Sequence, residues 1–142
     1  MIVLDTNVVS ELLRRVPNDE VVRRVDRYPA DEVFITAVTA AELVYGVERM
    51  PEGQRKTTLA VKISELLTEE FEGQILPFDG VAAVHYGEIA ASREEQGSPI
   101  SMADAQIAAI CRRFVACLAT RNTKDFVSTG ITLLDPWGAD EL

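Results

Sequence analysis

Met1-Ile2-Val3-Leu4-Asp5-Thr6-Asn7 opens the chain, and its order of apolar residues followed by an acid decides how the rest is read. Four apolar residues ending in a carboxylate describe a short buried strand that delivers Asp5 to its C-terminal tip. In open parallel α/β sheets that tip is where ligands and reacting groups collect. Working outward, β-branched runs recur at Val33–Thr36, Ile75–Pro77, Val115–Thr120 and Ile131–Leu134. Between them lie helical patterns at Val8–Arg14, Asp19–Arg27, Val38–Met50, Glu52–Phe71, Asp79–Gln96 and Met102–Phe114. Alternating short strands and longer helices predict an α/β fold, a three-layer α/β/α sandwich around a mostly parallel sheet covered on both faces.

Local punctuation supports these boundaries. Pro51 disfavours helix in Met50 and ends the third helix. Asp79 is placed as an N-cap and Gly97 as the residue just past the helix it opens. Repeats and linkers are absent, so residues 1–142 are expected to form one domain.

Composition narrows the function. A hydrophobic fraction of 47% with 26% charged residues excludes a disordered or collagen-like chain. The net charge of −9, from 14 basic and 23 acidic residues, argues against a broad basic surface gripping nucleic acid. It suits a cation site, a basic partner or simple solubility. Cys111 and Cys117 lie in an apolar stretch without a C-x-x-C pattern and read as core thiols. The N-terminus carries no basic leader, and no apolar run reaches membrane length. A cytoplasmic protein with no membrane partner is expected.

Three further acids join Asp5 at comparable junctions: Glu42, Asp104 and Asp125. Each also has an ordinary structural reading. Asp5 suits a turn or N-cap, with Asn7 a rival cap, and Asp125 suits a solvated turn. Thr39-Ala40-Ala41-Glu42 and Ser101-Met102-Ala103-Asp104 both fit the capping-box pattern. Periodicity shifts the balance for Asp104, which shares the stripe of Ile107, Ala108 and Cys111 that should face the sheet. An acid there is costly unless a cation, a proton or several donors compensate it. Glu42 shares a more polar side with Gly46 and Arg49, and a mid-helix glycine suits close approach by another backbone or a substrate. Thr120 and Asn122 are placed to hydrogen-bond neighbouring carboxylates. An all-oxygen group of this kind suits Mg²⁺ or Mn²⁺, which bind carboxylates, waters and phosphate. Without metal, some of the acids should hold protons.

With Asp5-Thr6-Asn7, Thr39-Ala40-Ala41-Glu42-Leu43, Asp104, Thr120-Arg121-Asn122-Thr123-Lys124-Asp125-Phe126 and the closing Asp135-Pro136-Trp137 in place, the chain resembles a PIN-domain ribonuclease of the VapC/FitB type. These are the toxin halves of type II toxin–antitoxin pairs. The resemblance spans the whole chain. It implies Mg²⁺- or Mn²⁺-dependent RNA cleavage, homodimerisation, and inhibition by a cognate antitoxin with a DNA-binding end. It further implies that Asp5 and Asp104 hold the metal directly, while Glu42 and Asp125 complete its surroundings and position or deprotonate the attacking water. Thr6 matches a small hydroxyl residue beside the metal. The fourth acid falls at Asp125 or at the position of Asn122; Asp125 is the available carboxylate. Arg14, Arg15 and Arg49 are candidate phosphate contacts.

Two other functions compete. A phosphotransfer domain would use Asp5 as a covalent nucleophile, although the second aspartate expected two positions on is Asn7. A non-catalytic PIN-like module would bind a partner without cutting RNA. His85 reads as a packed or half-exposed helix residue, and Trp137 as a contact packing the tail. Tyr28, Tyr45 and Phe71 are candidates for a dimer surface, an antitoxin surface or the core.

Overall fold

A computed structural model describes residues 1–138. The first apolar run forms β1 (Ile2–Leu4), buried along its whole length. It is joined by β2 (Val33–Thr36), β3 (Ile75–Leu76), β4 (Cys117–Ala119) and β5 (Leu133–Leu134) in the order β3-β2-β1-β4-β5. Every pairing is parallel. β1 is central, with Val3 opposite Phe34 on one side and Leu118 on the other.

The two-residue period of the strands divides the core. Ile2 and Leu4 pack with Ile35, Val8, Val21, Leu43 and Ile63. This face is covered by α1 (Thr6–Leu12), α2 (Asp19–Val25), α3 (Ala37–Glu48) and α4 (Gln54–Glu65). Val3 and Leu118 point the other way, onto Ile89 of α5 (Gly80–Glu95) and Ile107 and Ile110 of α6 (Met102–Phe114). The expected three-layer α/β/α sandwich is therefore what forms, with the sheet's C-terminal edge left between the layers.

Most boundaries follow the sequence, and the departures have local causes. Asp79 caps α5 by accepting from the Ala82 amide at 2.8 Å, and Gly97 follows the helix with φ +74°. The first helix begins at Thr6 rather than Val8, because Asp5 itself accepts from the Thr6 amide at 2.8 Å. The third begins at Ala37. Its cap is Thr36, which accepts from the Thr39 amide at 3.1 Å, so the capping-box reading of Thr39 and Glu42 does not hold. The pattern Glu52–Phe71 splits into α4 and a π turn, Leu66–Glu70, in which the Phe71 amide reaches the Leu66 carbonyl at 2.9 Å.

Val115 is not in a strand. It closes α6 in the left-handed region, φ 54°, and is 89% exposed. The chain must reverse sharply there to feed β4 from the helix. Tyr28 and Tyr45 are exposed, whereas Phe71 packs against the core of the four-helix face. Trp137 packs on that same core with Arg121 stacked 4.9 Å over its ring, as a tail contact should. Residues 139–142 of the expected single domain lie outside the described residues. Among the described residues, no helix is long and apolar enough to cross a membrane.

Candidate functional site

Asp5 leaves the tip of β1 only 5% exposed, and its carboxylate is held from three sides. Oδ1 accepts from the Thr6 amide. Oδ2 accepts from the Thr120 hydroxyl at 2.7 Å and from Asn7 Nδ2 at 3.4 Å. Thr120, fully buried just beyond the adjacent strand β4, also accepts from the Asn7 side chain at 3.3 Å and the Asn122 amide at 3.1 Å. Asn7 Oδ1 in turn accepts from the Arg121 amide at 3.2 Å. Two neighbouring strand tips are thus tied together by one carboxylate and two polar side chains.

Glu42 comes from the second turn of α3 and is exposed. The Thr6 hydroxyl donates to its Oε1 at 2.6 Å and lies 3.0 Å from the Thr39 hydroxyl. Asp104 sits half-buried in the first turn of α6, where Ser101 caps the helix by accepting from the Asp104 amide at 3.2 Å. Asp125 lies in a 3-10 turn, Thr123–Phe126, anchored by buried Phe126.

Burial and neighbouring acids bear on Asp5 and Asp104. Burial pushes the Asp5 carboxyl above its ordinary range despite the Thr120 and Thr6 bonds, and the charges of Glu42 and Asp125 push it further. Asp104 is raised by burial first, then by Asp5, with smaller contributions from Asp125 and Glu42. Four segments far apart in sequence therefore place their carboxylates within electrostatic reach at one edge of the sheet. A cation is the natural remedy for that repulsion. The donors are all oxygen, the set preferred by hard divalent ions. Among the described residues, no three acidic, thiol or imidazole side chains are gathered tightly enough to hold one ion by themselves. Mg²⁺ commonly takes only one or two carboxylates and fills its remaining positions with water and phosphate, so the residues fit it.

The charge of Asp125 bears on both Asp5 and Asp104. Asn122 contributes main chain instead: its amide reaches Thr120 and its carbonyl accepts from the Asp125 amide at 2.9 Å. Asn7 and Thr39 were not expected to support the acids. Their signal was present only as polar residues flanking Asp5 and Glu42.

A groove of about 800 Å³ opens beside Thr6 and Glu42 and runs between α1, α3 and α4. Leu13, Leu43, Val47, Leu59 and Ile63 form its apolar floor, and Arg14, Arg15, Arg55 and Lys62 stand along it. Arg14 and Arg15 were expected near the mouth; Arg55 and Lys62 were not, although their seven-residue spacing puts them on one helix side. Arg49 lies elsewhere, 5.5 Å over the exposed Tyr45 ring. Gly46 lines the groove, and nothing in the chain lies within 4 Å of where a Cβ would stand. Its missing side chain widens the groove instead of admitting another part of the fold. His85 is half-buried, with Nδ1 3.6 Å from Glu88, and takes no part in the acidic centre.

A parallel α/β/α sandwich with acids converging at the C-terminal edge of its central strands defines a carboxylate-centred hydrolase type. The PIN domain model matches residues 2–130, and the chain belongs to the PIN domain family. It is 37% identical over 137 residues to Toxin FitB of Neisseria gonorrhoeae, covering 96% of this chain and 99% of that one. Identity to VapC ribonuclease Y4jK of Sinorhizobium fredii is 35% over 137 residues, covering 96% and 98% of the two chains. A solved structure of FitAB bound to a DNA fragment superposes with a TM-score of 0.92 at 35% identity, covering 99% of each chain.

Proposed function

We propose that this chain is the toxin of a type II toxin–antitoxin pair, an endoribonuclease that hydrolyses RNA phosphodiester bonds with Mg²⁺ or Mn²⁺. The observation that carries the reading is the hydrogen-bonded cluster of Asp5, Thr6, Glu42 and Thr120 at the tip of β1, in a chain over a third identical to a VapC ribonuclease. Residues 1–142 are taken as a single domain, supported by one sheet that uses strands from residue 2 to residue 134.

Asp5 and Asp104 would hold the metal, with Glu42 and Asp125 beside them. When bound, the ion offsets phosphate charge, acidifies a bound water and steadies the attacking and leaving oxygens. The chain's own groups do the rest. Thr120, Thr6 and Asn7 orient Asp5 through fixed hydrogen bonds. Thr6 pins one oxygen of Glu42, whose exposed carboxylate would take a proton from the attacking water. Arg15, Arg55 and Lys62 would give the RNA backbone a cationic path along the groove, in a protein of net charge −9.

The partner is a cognate antitoxin with a DNA-binding end, supported by the likeness to FitAB bound to DNA. A homodimer in the cytoplasm completes the proposal. Induced expression of the wild type should arrest growth and create new RNA ends, whereas Asp5→Asn and Asp104→Asn should do neither. Equal toxicity of all three proteins would favour the non-catalytic module. A phosphorylated Asp5 after incubation with acetyl phosphate and Mg²⁺ would favour phosphotransfer.

A further inference from the structure

Arg93 is 4% exposed in the last turn of α5, yet among the described residues no carboxylate lies within ion-pair distance of its guanidinium. A buried charge without a counter-ion is costly, and an apolar residue would fill the space more cheaply. The guanidinium is instead spent on four contacts to oxygen. Nε donates to the Ser98 carbonyl at 2.7 Å, and Nη2 to the Ser98 hydroxyl at 3.3 Å. Nη1 donates to the carbonyls of Asp125 at 2.9 Å and Val127 at 3.0 Å.

The Ser98 contacts would serve a helix end alone. Those to Asp125 and Val127 join the helix to a turn more than thirty residues further along the chain. The turn Thr123–Phe126 has no side-chain cap of its own. Ser98 precedes by three residues Ser101, the cap of the helix turn that carries Asp104. One side chain therefore grips the approach to Asp104 and the backbone of Asp125. It reaches Asp125 through the main-chain carbonyl, and among the described residues no cation pairs with the Asp125 carboxylate. Building on the metal-dependent reading above, we infer that Arg93 is a positioning residue of the acidic centre, setting Asp125 against Asp104 by clamping the backbone of both approaches.

The test is Mn²⁺ binding by calorimetry to the full chain, with folding checked by circular dichroism, in wild type, Arg93→Lys, Asp125→Asn and the double variant. Lysine keeps the charge but cannot span the four oxygens. Arg93→Lys should weaken Mn²⁺ binding about tenfold, the size of effect that supporting groups have on metal sites. In the Asp125→Asn background the same change should cost less than about twofold, because sites acting through one another are not additive. Ser98→Ala, at an exposed position, should weaken binding roughly twofold and only when Asp125 is present. This variant decides the matter should Arg93→Lys not fold.

Equal losses in both backgrounds, unchanged affinity in Arg93→Lys, or no Mn²⁺ binding by the wild type would overturn the inference. Wild type that binds Mn²⁺ with the expected coupling yet leaves RNA intact would overturn the nuclease reading alone.

Discussion

At Asp5 two demands meet in one side chain. Its Oδ1 starts a helix, and its Oδ2 is held by a buried hydroxyl from the next strand. Removing that hydroxyl isolates its effect: Thr120→Val keeps the shape and deletes the donor. The expected loss of stability is about 1–2 kcal/mol. The Thr120 bond lowers the Asp5 pKa against burial, so its loss should raise that pKa further. The acid limb of the pH–rate profile for RNA cleavage should then move to higher pH, and an unmoved limb would show that Asp5 does not govern it. On the proposed metal-dependent reading, cleavage of a model RNA should fall at least about 100-fold in Asp5→Asn and in Asp104→Asn.

Among the elements, the end of α6 and the groove make the clearest predictions. Val115 sits at φ 54°, where a β-branched side chain is disfavoured by about 1–2 kcal/mol, and with 89% exposure it has little packing to lose. Val115→Gly should therefore raise stability by about 1 kcal/mol in urea unfolding, after subtracting glycine's entropy, with cleavage unchanged. In the groove, the Arg15→Glu, Lys62→Glu double variant reverses two charges of its lining. RNA binding should weaken and the slope of log affinity against log salt should flatten by roughly one to two units. An unchanged slope would place the RNA backbone elsewhere.

The whole molecule should be stabilised by losing charge at one site and gaining it at another. Asp5 and Asp104 have folded-state pKa values raised above their ordinary ones, so the folded protein binds more protons than the unfolded chain between those values. Stability of the metal-free protein should therefore rise as pH falls from neutrality through the raised values. Glu11, lowered by the Asn18 amide and Arg14, and Asp79, lowered by the Ala82 amide and Arg113, act oppositely. Their contribution is complete above their unfolded values and is lost as pH falls through the lowered ones. Melting in EDTA should thus peak on the acid side of neutrality. If the proposed site binds Mn²⁺ through its ionised acids, the ion should raise the melting temperature and move the peak upward. A flat EDTA profile from neutrality downward would contradict the upward push of burial on Asp5 and Asp104. In EDTA at neutral pH, Asp104→Asn should melt higher than wild type, by about 4 °C for each 1 kcal/mol relieved.

Sequence alone settled the layered architecture and the strand tips, and it nominated four acids as candidates. Apolar periodicity and an abrupt switch to a carboxylate, as at Leu4-Asp5, are local signals that the chain cannot satisfy another way. The Asp79 and Ser101 caps were equally legible, because capping is decided within three or four residues. The Thr39 cap was misplaced because Thr36 offered the same chemistry one turn earlier, and only the end of β2 selects between them. The gathering of four cations along one groove was decided by tertiary structure. So was the reach of Arg93 to a turn thirty residues away. These depend on distances between segments that meet only when both faces of the sheet are packed, and no spacing within a single segment encodes them.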